Sequence, residues 1–224
     1  MRILFKYPSR GRPLLFFKTL QRYLYLMSGR HDCDFLISMD TDDKTMNTEL
    51  VRDFICQLGG SYPRAKVTYY YDDHDGIVHA VNNRIRDCEF DVVMAISDDF
   101  IPERPNYDDI IFKTMLESWP EYDGAIYFND GSCGERFALA PILGRKLYIE
   151  QGYFFDPFYK WGEADRALTV ELRAKNKIKY FPEILFSHHG EHHDKDEVYN
   201  RTRKMRLRDH QNFKQRVREG YYAT

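Results

Sequence analysis

The chain has 224 residues, 43% of them hydrophobic and 30% charged, with a formal net charge of -2. This is the composition of a globular domain with one sizeable core or two small ones, and it excludes a disordered chain and a protein that is basic throughout. Cys33, Cys56, Cys88 and Cys133 form no CxxC pair, the first residues lack a signal-peptide core, and no apolar run reaches the roughly 18 residues of a membrane span, so a cytoplasmic protein with reduced thiols is expected.

In chain order, RILFKYP (2–8) reads as a short buried strand and SRGRP as a loop, with Pro13 opening a helix over LLFFKTLQRYLYLM. DFLISMD (34–40) predicts a second strand that ends in TDDKTMN. Asn47 or Thr48 caps a helix over ELVRDFICQL, which Gly59 and Gly60 end. KVTYYY (66–71), rich in aromatic and β-branched residues, is a third strand, and DDHDG a turn. Ile77, Val81, Ile85 and Cys88, three or four apart, predict one helix over IVHAVNNRIRDC (77–88). DVVMAIS (91–97) is the fourth strand.

Strand and helix thus alternate through the first hundred residues, which predicts parallel strands joined by right-handed crossovers. The strands are apolar nearly throughout, as in a sheet covered on both faces. The second half is less regular. It predicts a helix over 107–119, a strand over 124–130, an apolar run over 136–144, a short helix over 145–152 and an aromatic loop, FFDPFYKWGE, over 154–163. A helix over 164–176, one strand over 177–189 and a long basic helix from Glu197 to Glu219 follow. The expected fold class is α/β: a single domain over 1–196, in halves 1–103 and 104–196, with a mostly parallel central sheet flanked by helices and a helical extension over 197–224.

In such sheets ligands bind beyond the carboxyl ends of the strands. SRGR, DTDD, DDHDG and SDD all fall there. Asp98 and Asp99 end an apolar strand as adjacent like charges, a cost that a cation or hydrogen-bond donors relieve. A hard cation takes one or two carboxylates plus phosphate oxygens and water, although a solvated turn after a buried strand reads the same way. His188, His189, His192 and His193 are dense enough to consider as metal ligands, without an HExxH motif. Residues 201–218 carry eight Lys or Arg against one acid. They form either a solvated helix packing Met205, Leu207 and Phe213 on the domain, or a contact for an anionic acceptor such as nucleic acid or a lipid headgroup.

The run DDHDGIVHAVNNRIRDCEFDVVMAISDDFIP resembles the central signature of family 2 glycosyltransferases with the GT-A fold. Asp75-Gly76, Ala80 with Asn82 or Asn83, Phe90-Asp91, and Asp98-Asp99 with Pro102 stand in the places of that signature, the aspartate pair where the Asp-x-Asp motif falls. FKYPSRGRP is similar to the opening strand and its loop, and FLISMDTDD to the second strand. The resemblance covers residues 3–190, loosely after residue 103.

It implies transfer of a sugar, with inversion, from a nucleotide-sugar (a UDP-sugar in most of the family) to an acceptor hydroxyl, assisted by Mn²⁺ or Mg²⁺. It implies that Pro8, Ser9, Arg10 and Arg12 hold the nucleotide, with Asp40 or Asp42 at the base, Asp98 near the ribose, and Asp75, Gly76 and Asn82 beside them. Asp99 and His188, or His189 in another register, become the metal ligands, and imidazole favours Mn²⁺. The catalytic base belongs to the Glu-Asp-x-Asp position at a helix start, here YKWGEADRALTVEL. One alignment makes Glu163 the base and another Asp165, because Ala164 breaks the usual acid pair. Trp161 is a sugar-stacking platform or core. Glycosyltransferases of this compact kind occur in bacteriophages and bacteria, some of them acting on modified DNA bases, so a nucleic-acid acceptor is one expectation for the basic helix. A nucleotidyltransferase and a non-catalytic binding module are the competing readings, and the first is poorly served by SRGRP, which no lysine follows.

Overall fold

The computed structural model describes residues 1–190 and 197–222, with side chains in the last helix from Thr202 onward. His192, His193 and the boundary at residue 196 lie outside the described residues. Four strands, β1 (Arg2–Pro8), β2 (Asp32–Asp40), β3 (Ala65–Asp72) and β4 (Val92–Ala95), run parallel in the order β3-β2-β1-β4. The sheet continues through β7 (Ile142–Gly144), β6 (Ala125–Asn129) and β8 (Ile178–Ile184). β7 is antiparallel to both β4 and β6, while β6 and β8 are parallel, so one reversed strand interrupts an otherwise parallel sheet. A separate two-stranded ribbon pairs β5 (Phe100–Pro102) with β9 (Phe186–His188), antiparallel.

Helices α1 (Pro13–Leu26), α2 (Glu49–Gly59) and α3 (Ile77–Asn82) join the parallel strands. Then come α4 (Tyr107–Ser118), α5 (Arg145–Gln151), α6 (Ala164–Ala174) and α7 (Glu197–Arg218). Alternation along β1 shows why the sheet is covered on both faces. Ile3, Phe5 and Tyr7 enter one buried cluster with Phe16, Leu20 and Phe35, while Leu4 enters the other with Val93 and Leu143. Lys6 shares Leu4's face, and its Nζ donates to Tyr70 Oη at 2.6 Å; burial lowers its pKa to about 7. Thr48, of the two candidate caps, accepts the Val51 amide at 3.3 Å.

Three elements differ from expectation. The helix over 77–88 stops at Asn82, and Ile85–Asp87 forms a separate 3-10 turn. Arg84 between them has φ 64, with its guanidinium 4.0 Å from the Tyr70 ring centroid. The strand over 177–189 is two strands in different sheets. Of the apolar run 136–144, only Ile142–Gly144 pairs. Among the described residues, no helix is long and apolar enough to cross a membrane.

Candidate active site

The loops after β1, β2, β3 and β4 line one cleft. Pro8, Ser9, Arg10 and Arg12 line it from the first loop, and Asp40 from the second strand. His74, Gly76 and Ile77 come from the third connection, Ser97 and Asp98 from the fourth, and Trp161 closes the far side.

At one end Asp40 links two partners. Its Oδ1 lies 2.6 Å from His74 Nδ1, and its Oδ2 accepts from Arg10 Nη1. Against burial that would raise its pKa, these contacts hold the Asp40 carboxyl below the usual range. Arg10 Nη2 also donates to Asp42 at 3.0 Å, so both candidate base-binding acids meet the same guanidinium. His74, read from sequence as part of a turn, is a cleft residue whose buried Nε2 has no hydrogen-bond partner. Its position directly after a strand ending at Asp72 was the available signal.

Asp98 is 4% exposed. Tyr7 Oη and Ser9 Oγ donate to its Oδ1 at 2.9 and 3.0 Å, while burial pushes its pKa up to about 7. Asp99 faces another way. Its carbonyl accepts the His189 amide at 2.8 Å, and its Oδ2 lies 3.7 Å from His188 Nε2. The β5–β9 ribbon makes this juxtaposition, because Phe100 pairs with His188. The Asp99 carboxylate raises the His188 pKa above its ordinary value. The 3.7 Å gap is too long for a hydrogen bond but suits an oxygen and a nitrogen that each bind one cation at about 2.1 Å. A Cβ on Gly190 would lie 2.5 Å from His188 Cε1 and 2.9 Å from Nε2, so the backbone closes against the ring edge that the cation would use. Asp99 and His188 therefore fit a divalent cation completed by phosphate oxygens and water. Among the described residues, no three His, Cys, Asp or Glu side chains group into a full metal shell. His189 turns elsewhere, its Nε2 2.8 Å from Ser187 Oγ.

Two expected nucleotide residues have other partners. Asp75 is exposed and pairs with Lys160 Nζ. Asn82 is not among the cleft-lining residues; its Oδ1 accepts the Phe154 and Phe155 amides at 3.0 and 2.9 Å, and its Nδ2 donates to Phe155 O at 2.7 Å. Gly76 belongs to the cleft, at φ 97, where a Cβ would come within 2.4 Å of Lys160 O. Glycine is required there by both conformation and space.

The two candidate bases are separated by their surroundings. Glu163, at φ 63 before α6, lies 2.9 Å from His210 Nδ1 and 3.3 Å from Arg166 Nη1. Asp165 accepts the Arg166 amide at 2.8 Å, and burial pushes its pKa up to about 6. Its charge acts on His188 and on Cys133. Asp165 is thus a buried acid whose charge contributes to the raised pKa of His188, whereas Glu163 is engaged by α7.

No family model matches the chain, and no curated protein does. Solved structures do. A mannosyltransferase, PcManGT from Pyrobaculum calidifontis, in complex with GDP-Man and Mn²⁺, superimposes with a TM-score of 0.64 at 13% identity, over 83% of this chain and 56% of that one. S. aureus TarS 1-349 in complex with UDP-GlcNAc gives 0.61 at 11% identity, over 84% and 58%. TarS 1-349 without a named ligand gives 0.61 at 12%, over 84% and 60%. The chain therefore spans less than two thirds of the length of each of these proteins. The seven-stranded sheet with its one reversed strand, flanked by helices, is the GT-A fold of these glycosyltransferases.

Proposed function

We propose that the protein is a glycosyltransferase that moves a sugar from a nucleoside-diphosphate sugar, a UDP-sugar first among them, to an acceptor hydroxyl with inversion. The observation that carries this reading is one cleft lined by Arg10, Asp40, His74 and Asp98, with Asp99 following Asp98 in the chain and facing His188. Arg10, Asp40 and His74 offer donors and acceptors for a nucleobase. Asp165, in the first turn of α6, is a buried acid whose charge is felt at His188. In this division residues 1–103 hold the nucleotide and residues 104–196 the acceptor, and we place the reaction in the cytoplasm.

In the reaction the acceptor oxygen bonds to the anomeric carbon, the bond from that carbon to the diphosphate oxygen breaks, and the hydroxyl proton passes to Asp165. A carboxylate that titrates near 6 is matched to this task at neutral pH. Glu163 holds the start of α6 through His210 and Arg166. A cation at Asp99 and His188, Mn²⁺ or Mg²⁺, would neutralise charge on the departing diphosphate. Arg12 extends the positive side of the cleft, and Asp98 and Ser9 present oxygens beside it. For the acceptor we favour a nucleic acid held along α7.

A thermal-shift series with UDP-GlcNAc and GDP-mannose, each with and without Mn²⁺, tests donor and metal together, because a ligand of the native state raises Tm. A shift that needs both nucleotide and metal is expected. Asp165→Asn should cut transfer by about 10²-fold or more while nucleotide binding persists. The wild-type rate should climb as pH rises through about 6, where the base ionises. Glu163→Gln should cost less. The reverse order would move the base to Glu163, and binding without transfer for the wild type would favour a binding module.

A further inference from the structure

Residues 201–218 contain one acid, Asp209, among eight cations. It is the acid that the fold buries: Asp209 is 3% exposed. Its Oδ2 accepts three consecutive amides, from Lys160 at 3.0 Å, Trp161 at 2.7 Å and Gly162 at 3.1 Å. Three backbone N–H groups converging on one carboxylate oxygen form an anion nest, which offsets the cost of removing the charge from water.

The clamped tripeptide reaches the cleft at Gly76 and through Trp161. Lys160 O accepts the Val78 amide at 3.1 Å and lies where a Cβ on Gly76 would collide. The position of Lys160 thus sets the floor at Gly76. Trp161 lines the cleft, and its buried Nε1 has no partner. Gly162 lies under Arg206 of α7, whose Cγ would be 3.6 Å from a Cβ there. Glu163 follows at once, tied by its Oε1 to His210, the residue after Asp209.

We propose that Asp209 is a positioning residue of the active site: its carboxylate fixes the backbone of residues 160–162 and so sets Trp161 against the donor. This rests on the cleft being the donor site. α7 is then a working wall of the enzyme. Removing the carboxylate frees the three amides that hold the loop carrying Trp161, so the loss falls on donor binding and turnover more than on global stability.

Trp119 and Trp161 are the chain's two tryptophans, which allows a direct test. In a Trp119→Phe background the emission comes from Trp161 alone. Asp209→Ala and Asp209→Asn are made in that background and in the otherwise unaltered chain, where the same change is read as a difference. Far-UV circular dichroism checks folding. The expected result is a red-shifted Trp161 emission and a several-fold rise in acrylamide quenching for Asp209→Ala. Asp209→Asn, which keeps one acceptor oxygen, should fall between it and the parent. UDP and GDP titrations with Mn²⁺ should show about tenfold weaker binding for Asp209→Ala, comparable to losing supporting-shell contacts elsewhere. Where transfer is measurable, donor KM should rise and kcat fall together. Unchanged emission and quenching in folded variants overturns the proposal. If Asp209→Ala does not fold, an Asp209→Asn protein with parental emission and nucleotide affinity overturns it equally. A wild type that binds no nucleotide defeats the glycosyltransferase reading instead, and the emission data still decide whether Asp209 sets Trp161.

Discussion

Asp98 and Asp99 are neighbours in sequence with different partners, and each yields a prediction. Burial raises Asp98 to about 7, above the ordinary aspartate value of 3.8. A carboxyl raised in the folded state favours folding while protonated. That contribution is complete below the unfolded pKa and is lost as pH climbs through the folded one. Between pH 4 and 7 the wild type should therefore lose stability relative to Asp98→Asn, by roughly 4 kcal/mol across the window. Urea denaturation of both proteins at several pH values measures this; parallel curves would mean that Asp98 stays ionised. Gly190→Ala addresses the other aspartate's partner. The added methyl cannot coexist with the His188 ring at 2.5 Å, so the imidazole must swing away from Asp99. Mn²⁺ affinity should fall about tenfold, the scale of lost support around a ligand, with little change in Tm. Calorimetric titration of Mn²⁺ in the presence of UDP reads it, and an undiminished affinity would remove His188 from the metal site.

At the scale of elements, Asn82 shows how a residue of the third connection serves the site from outside it. Its amide makes three hydrogen bonds to Phe154 and Phe155, pinning the aromatic loop that leads to Lys160 and Trp161. Asn82→Ala leaves two amides and a carbonyl without these partners, and should cost about 2–4 kcal/mol in chemical denaturation. A loss below about 0.5 kcal/mol, the range of an ordinary surface change, would mean that water replaces the side chain. The alternation of apolar strands and amphipathic helices was legible from Ile3 to Met94, because local periodicity and burial agree there. The break after Asn82 was not. Ile85 keeps the helical spacing, but Asn83 Nδ2 donates to Asp72 at 3.1 Å and Arg84 stacks on Tyr70, contacts from a strand that periodicity cannot see. The single strand expected over 177–189 failed similarly: β8 finds β6 and β9 finds β5, and the partner decides the break. In the cleft, Arg10, Asp40 and Asp98 stood at strand ends and were visible. His74 and Asp209 act through distant backbone or side chains; the strand end just before His74 is a weak mark, and nothing in its local sequence marks Asp209.

For the whole molecule, a net charge of -2 conceals an arrangement with one strongly basic face. Arg203, Lys204, Arg208, Lys214 and Arg218 are all exposed. At about 100° per residue they fall within an arc of roughly 140°, over a rise of roughly 22 Å. The acid of this stretch, Asp209, is turned inward to the active-site loop. Arg216 is also withdrawn from the face, paired with Asp156 at 2.6 Å and 3.5 Å from the Phe158 ring centroid. The outer arc is thus a row of cations on a helix whose inner side holds Trp161 and Glu163 in place. This face suits a polyanionic acceptor. If that acceptor is nucleic acid, binding releases counterions, and five phosphate contacts predict a slope of log K against log salt of about -4 to -5 on a duplex. Reversing Arg203, Lys204 and Arg208 to glutamate should flatten that slope by about 3 and weaken binding alike for all sequences. Fluorescence anisotropy with a labelled duplex, from 50 to 200 mM salt, gives both numbers; those limits are about the range over which such binding collapses. A duplex affinity indifferent to salt, or one that survives the triple reversal, would show that this face is only solvated. The acceptor would then have to be sought among neutral hydroxyl compounds that reach Asp165 without touching α7.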